Sequence, residues 1–238
     1  MNTIVSNRLD IRPFASLGHA DHGWLDAHHH FSFADYYDHG RMGWGSLRVW
    51  NDDVIAAGAG FPPHPHADME IITYVRQGAI THRDSMGNVG RTEAGDVQVM
   101  SAGSGVRHSE YNLEDEETRI FQIWIIPEQR GGEPAWGTRP FPKSDADSGW
   151  RVFASGFAED EEALPIRTSA RVLGARLKAG ESIDYQVGEG RHAYLVPATG
   201  RISIDGEMIS ARDGVALRGG DYRVTASEEA ELVLVDAE

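Results

Sequence analysis

Short runs of β-branched and aromatic residues recur along the chain, each closed by Gly, Asp or Pro. They include "EIITYV" (70–75), "DVQVM" (96–100), "RIFQIWII" (119–126), "RVLGARL" (171–177), "AYLV" (193–196), "RISI" (201–204), "YRVTA" (222–226) and "ELVLVD" (231–236). Runs of this length and turn spacing predict the strands of an all-β sandwich or barrel. The clearest helical pattern is short, "EDEEALP" at Glu159–Pro165. The stretch Pro127–Trp150 is rich in Pro, Gly and charge and has little periodicity, which predicts a linker or ordered crossover. The expected division is a first domain over 1–130, a connection over 131–150 and a second domain over 151–238. The halves echo each other: "ITYVRQGAITHRD" (72–84) against "YLVPATGRISIDG" (194–206), and "AGDVQVMSAGSG" (94–105) against "ARDGVALRGG" (211–220). An internal duplication of a β unit follows from this pattern. It is chemically lopsided, because the second copy has "DYQVGEG" (184–190) where the first has "HPHADME" (64–70).

Composition narrows the function classes. The 238 residues carry 37 acidic and 22 basic side chains, a net charge of −15, with no Lys/Arg-rich stripe. Direct nucleic-acid binding is therefore not expected. The absence of cysteine removes disulfides, thiolate metal sites and a Cys nucleophile. The start "MNTIVSNRLDIRPF" lacks the apolar core of a signal peptide, and no run approaches 18 apolar residues. A cytoplasmic protein without a membrane span is expected.

Candidate chemistry sits in the histidines. His64 and His66 are two residues apart, so in an extended strand they share a face about 7 Å apart. About 42 residues later, "GSGVRHSEYN" places His108 and Glu110 at the same spacing. Two strands that each turn two such side chains inward would build a site of three imidazole nitrogens and one carboxylate. That set suits Fe(II), Mn, Ni, Cu or Zn and leaves coordination positions open. His28, His29 and His30 are consecutive and cannot all face one way; any that reaches the site would form a wall with Phe31, Phe33 and Tyr36. His19, His22, His39 and His82 are expected at turns or on the surface, and Met42, Met69, Met86 and Met100 in core packing.

The spacing Gly58, His64-x-His66, Gly78 is similar to the first cupin motif, and Gly95…Gly105-x-x-His108-x-x-x-Asn112 to the second. The segments "RPFASLGHADHGWLDAHHHFSFADYYD", "RVWNDDVIAAGAGFPPHPHADMEIITYVRQGAITHRDSMGN" and "AGDVQVMSAGSGVRHSEYN" resemble the pirin family, densely over Arg12–Gln129 and loosely to the C-terminus. The resemblance implies a bicupin: two jelly-roll β-barrel domains with short helical connectors and metal only in the first. It also implies one divalent transition metal per chain on His64, His66, His108 and Glu110. Fe(II) leads, with Mn, Ni, Cu, Zn and Co as alternatives. The chain departs from the general cupin pattern at Ile71, where the usual glutamate would stand. Glu70 lies one residue early, on the opposite strand face, and is a poor ligand. The implied activity is that of a quercetin 2,3-dioxygenase, opening flavonol-type aromatic enols with O2, with Glu110 as the catalytic base. The alternative is a metal-containing regulator that binds a transcription factor or metabolic enzyme. The expected partners are thus a small aromatic substrate and O2, with a protein partner open, on a monomer.

Overall fold

The structure is a computed structural model that describes residues 9–141 and 149–238. It is built of three antiparallel-rich sheets. In the first half a seven-stranded sheet runs, in spatial order, Ala135–Arg139, Val97–Ser101, Glu70–Gln77, Thr118–Ile125, Leu47–Ile55, Leu25–His29 and Gly18–Asp21. Facing it is a four-stranded sheet of Gly60–His66, Val106–Tyr111, Ala79–Asp84 and Val89–Glu93. The second half is one nine-stranded sheet. Its long members, Ser182–Thr199 and Gly214–Ala226, break register between Val187 and His192, where such a strand can bend. The interior of this half is packed with side chains including Ile183, Leu195, Leu217, Tyr222 and Leu234.

The middle strands of the seven-stranded sheet are buried on both faces, which explains their near-continuous apolar sequence. Alternation divides their side chains. Trp50, Ile72, Tyr74, Phe121 and Ile123 join Phe153, Tyr194, Val196 and Val233 of the second half in one core. Asn51, Asp53, Gln122 and Trp124, on the other face, line a cavity within the first half. The two halves are therefore sealed by a shared sheet-on-sheet core. The first described strand, Leu9–Arg12, ties them further by pairing with Gly214–Ala226 rather than with the first half. The division by sheets thus differs from the division by sequence at that end.

Both copies of the sequence echo turn at a left-handed glycine, Gly78 (φ 74°) and Gly200 (φ 75°), where a β-carbon would strike the neighbouring chain. The connection expected over 131–150 contains the edge strand Ala135–Arg139, which pairs with Val97–Ser101.

The helical connectors are a correction. Glu159–Pro165 forms turns and the two-residue strand Leu164–Pro165, and the one helix among the described residues is the 3₁₀ turn Phe14–Ser16. The acidic side chains of the segment reach outward instead of supporting a helix: Arg171 binds both Glu159 and Asp160, and Ser155 Oγ donates to Asp160 at 2.5 Å. Pro165 also biases Leu164 towards extended backbone. Met42 and Met86 are exposed rather than in the core, while Met100 is buried. Among the described residues no helix is long and apolar enough to cross a membrane.

Candidate metal centre

The strand Gly60–His66 is an edge strand, the place in a sheet where prolines are tolerated, and it carries Pro62, Pro63 and Pro65. His64 pairs with His108 and His66 with Val106 on the neighbouring strand, and the register shifts between His108 and Glu110. The irregularity falls at the proline pair, since Glu110 next aligns with Phe61. The result is a cluster of three imidazoles with ring centroids 4.5–4.9 Å apart. Trp124 meets the edge of His66 at 5.0 Å. His64, His66, His108 and Glu110 all line one cavity of about 490 Å³ between the two sheets of the first half.

The imidazoles' proton positions follow from their partners. His64 Nδ1 lies 2.8 Å from the Pro62 carbonyl, which only accepts, so Nδ1 carries the hydrogen and Nε2 the lone pair. His82 Nε2 lies 3.0 Å from Asp84 Oδ2. Burial alone would raise the Asp84 carboxyl, but donors from His82, Asn88 and Met86 hold it below its usual value. A His82 that carries its single hydrogen on Nε2 donates it to Asp84, and its Nδ1 is then the acceptor that faces His108 Nδ1 at 3.4 Å. That leaves the lone pair of His108 on Nε2, facing His64 Nε2 at 3.1 Å. Two lone pairs at this distance repel unless a cation or proton lies between them. The spacing suits two nitrogens about 2.0–2.1 Å from one metal ion, whose separation is about 3 Å at a right angle. Burial, then the neighbouring histidines, lowers His66 to about 4 and His108 to about 3, so both are neutral at pH 7 with lone pairs available. The donor set therefore fits a divalent transition metal.

Glu110 is placed differently from the three imidazoles. It is buried and accepts from Gln98 Nε2 at 2.6 Å, Gln122 Nε2 at 2.9 Å and Thr73 Oγ1 at 3.1 Å. These donors are neutral. They belong to a polar row across the inner face of the seven-stranded sheet, where register pairs His29 with Asn51, Asn51 with Gln122, Gln122 with Thr73 and Thr73 with Gln98. The carboxylate of Glu110 groups within 4.8 Å with nitrogens of His108 and His82, while the His64–His66–His108 group forms separately. His108 is the residue common to both.

Several sequence expectations change here. His82 is fully buried, stacked on Trp136 at 4.8 Å and 7°, rather than at a turn or surface. Gly90 makes that stack possible, since a β-carbon there would overlap the Trp136 ring. Of the histidine triplet, His29 lines the cavity and binds Asn51 Oδ1 at 2.8 Å. His30 bonds Tyr194 of the second half at 2.9 Å, and His28 stacks on His19. Phe33, Tyr36 and Phe61 line the cavity, whereas Phe31 packs into the shared core. His19 and His22 reach the cavity; His39 is exposed. Glu70 faces away and accepts from Ser101 Oγ at 2.6 Å, while Ile71 lines the cavity.

Among the described residues the side-chain groups that could hold a metal all lie in the first of two stacked β domains, and two such domains in one chain make a bicupin. Comparison with known proteins gives the family. The pirin domain matches residues 10–125 and the quercetinase C-terminal cupin domain residues 152–237. A pirin-like protein of Caulobacter vibrioides is 64% identical over 230 residues, 96% of this chain and 99% of that protein. A quercetin 2,3-dioxygenase of Escherichia coli is 43% identical over 221 residues, 92% of this chain and 94% of that protein. The crystal structure of the bacterial pirin YhhW from Escherichia coli in complex with nickel(II) superposes with a TM-score of 0.90 at 40% identity, covering 96% of this chain and 98% of that one. The chain belongs to the pirin family.

Proposed function

We propose that this pirin is a metal-dependent oxidoreductase of the quercetin 2,3-dioxygenase type, opening a flavonol-like aromatic enol with O2 in the first-half cavity. The observation that carries the reading is the approach of His64 Nε2 and His108 Nε2 to 3.1 Å at the cavity wall, with His66 beside them. His64, His66 and His108 would hold the metal, with Glu110 as the fourth ligand; Fe(II) leads, and Mn, Ni, Cu, Zn and Co share the same donor preferences. When bound, the ion supplies a Lewis-acidic centre for an enolic oxygen and open positions for oxygen chemistry.

The chain's own residues prepare the rest. Glu110 accepts the proton of the substrate hydroxyl, and the Gln98 and Gln122 amides fix its oxygens for that transfer. Leu25, Phe33, Ile71 and Trp124 give the cavity an apolar wall that takes an aromatic ring and excludes water. Its volume of about 490 Å³ is that of a small-molecule site. The nickel complex of YhhW and the activity named for the Escherichia coli relative support the reading. The test is aerobic turnover by metal-replete protein. Loss of quercetin's long-wavelength absorbance is expected, and flavonol left intact under oxygen would refute the activity and favour the regulatory role.

A further inference from the structure

The strand Leu47–Ile55 carries two adjacent buried aspartates with opposite surroundings. Asp52 faces the second half and is paired with Arg76 and, at 2.5 Å, Arg212. Asp53 faces the cavity and is just as deeply buried, yet its Oδ1 has no hydrogen-bond partner. Of the other polar side chains on the cavity's sheet wall, Asn51 bonds His29 and Gln122 bonds Glu110 and Thr73, while the Trp124 indole N–H, like Asp53 Oδ1, has no partner. A buried carboxyl oxygen without a partner is costly to the fold. Asp53 also lines the aromatic-sized cavity, where the other edge of the same carboxyl can meet a ligand.

Asp53 belongs to the seven-stranded sheet, whereas His64, His66 and His108 belong to the four-stranded sheet opposite. A ligand held between the two sheets can turn one oxygen to the histidines and another to Asp53. We propose that Asp53 is a specificity-determining residue that, as a carboxylic acid, donates a hydrogen bond to a ring hydroxyl of the bound aromatic ligand remote from the histidines. Burial first, then the charges of Asp52 and Glu110, raises the Asp53 carboxyl well above its usual value, against the weaker opposing pull of Arg76. The direction of the shift favours the protonated acid. The choice of a flavonol as ligand rests on the proposed function; the recognition role does not need the oxidation.

The test is anaerobic binding, followed by tryptophan fluorescence, of quercetin and of 3-hydroxyflavone, which lacks the other ring hydroxyls. Asp53→Leu is expected to weaken quercetin about 3–10-fold, the cost of one neutral hydrogen bond, and to leave 3-hydroxyflavone unchanged. Asp53→Asn keeps a donor of the same shape and is expected to hold quercetin affinity within about twofold. Infrared difference spectra of wild type against Asp53→Asn at pH 7 should show a protonated-carboxyl stretch lost in the variant. Wild-type quercetin affinity in Asp53→Leu, or no such stretch, would overturn the assignment. If wild type fails to consume quercetin in air while Asp53→Leu still weakens its binding, the reaction fails and the recognition role stands. If turnover proceeds and binding is indifferent to position 53, the reverse holds.

Discussion

His82→Phe tests the tautomer chain on which the metal assignment depends. Phenylalanine keeps the ring stacked on Trp136 and fills nearly the same space, so the fold should survive. What disappears is the acceptor that holds the hydrogen of His108 on Nδ1. Without it, His108 is free to move that hydrogen to Nε2 and donate to His64 Nε2, 3.1 Å away. A metal must then displace that hydrogen bond and leave His108 Nδ1–H buried without a partner. Such a group costs about 1–3 kcal/mol. The figure matches the 10–100-fold loss of affinity typical when a ligand histidine loses its outer partner, about 1.4–2.7 kcal/mol. Competition titration against a chromogenic chelator measures it, with circular dichroism to confirm the fold. The metal-free variant should also show His108 protonated on Nε2 by ¹⁵N NMR. Wild-type affinity in a folded His82→Phe protein would refute the chain from Asp84 through His82 to His108.

Other outcomes follow from the same geometry. Glu110→Gln should slow flavonol consumption by about 10²–10⁴-fold, the range for a lost general base, while lowering metal content much less; equal losses of both would make Glu110 a ligand only. In metal-free protein, His66 and His108 titrate near 4 and 3, below the roughly 6.5 of the unfolded chain. Between those values the unfolded chain binds protons that the folded one does not, so stability falls as pH drops from about 6.5 towards 4. Urea titrations should show that decline, and His108→Gln should flatten it; an unchanged slope would contradict the burial of His108. Tyr194→Ala removes a fully buried ring that touches Phe31 and Trp50 across the halves. By analogy with large aromatic deletions it should cost about 3–5 kcal/mol and lower Tm by roughly 6–20 °C. A shift within two degrees, about the effect of a surface change, would deny the shared core.

The sequence revealed what depends on local spacing. Alternation along a strand is enough to put His64 with His66, to separate His29 from its two neighbours and to turn Glu70 away from Ile71. It cannot say which strands lie beside each other. His82 therefore read as an isolated histidine, although "HRD" at 82–84 already placed it on one face with Asp84. Only the pairing of Val106–Tyr111 with Ala79–Asp84 sets it behind His108. The polar row that holds Glu110 is likewise drawn from five strands and is continuous only in the sheet. Asp53 left one trace, two adjacent acids in the middle of "RVWNDDVIAA", where alternation can give only one of them to the ion pairs on the outer face. Glu159–Pro165 misled because its helical composition is satisfied by ion pairs to Arg171, a residue outside the segment.

The central claim is that His64, His66 and His108 close on one transition-metal ion. Elemental analysis of protein purified without added metal, beside His64→Ala and His108→Ala prepared identically, tests it most directly. The wild type should hold up to one ion per chain, and each variant should lose most of it. Wild-type metal content in either folded variant would contradict it.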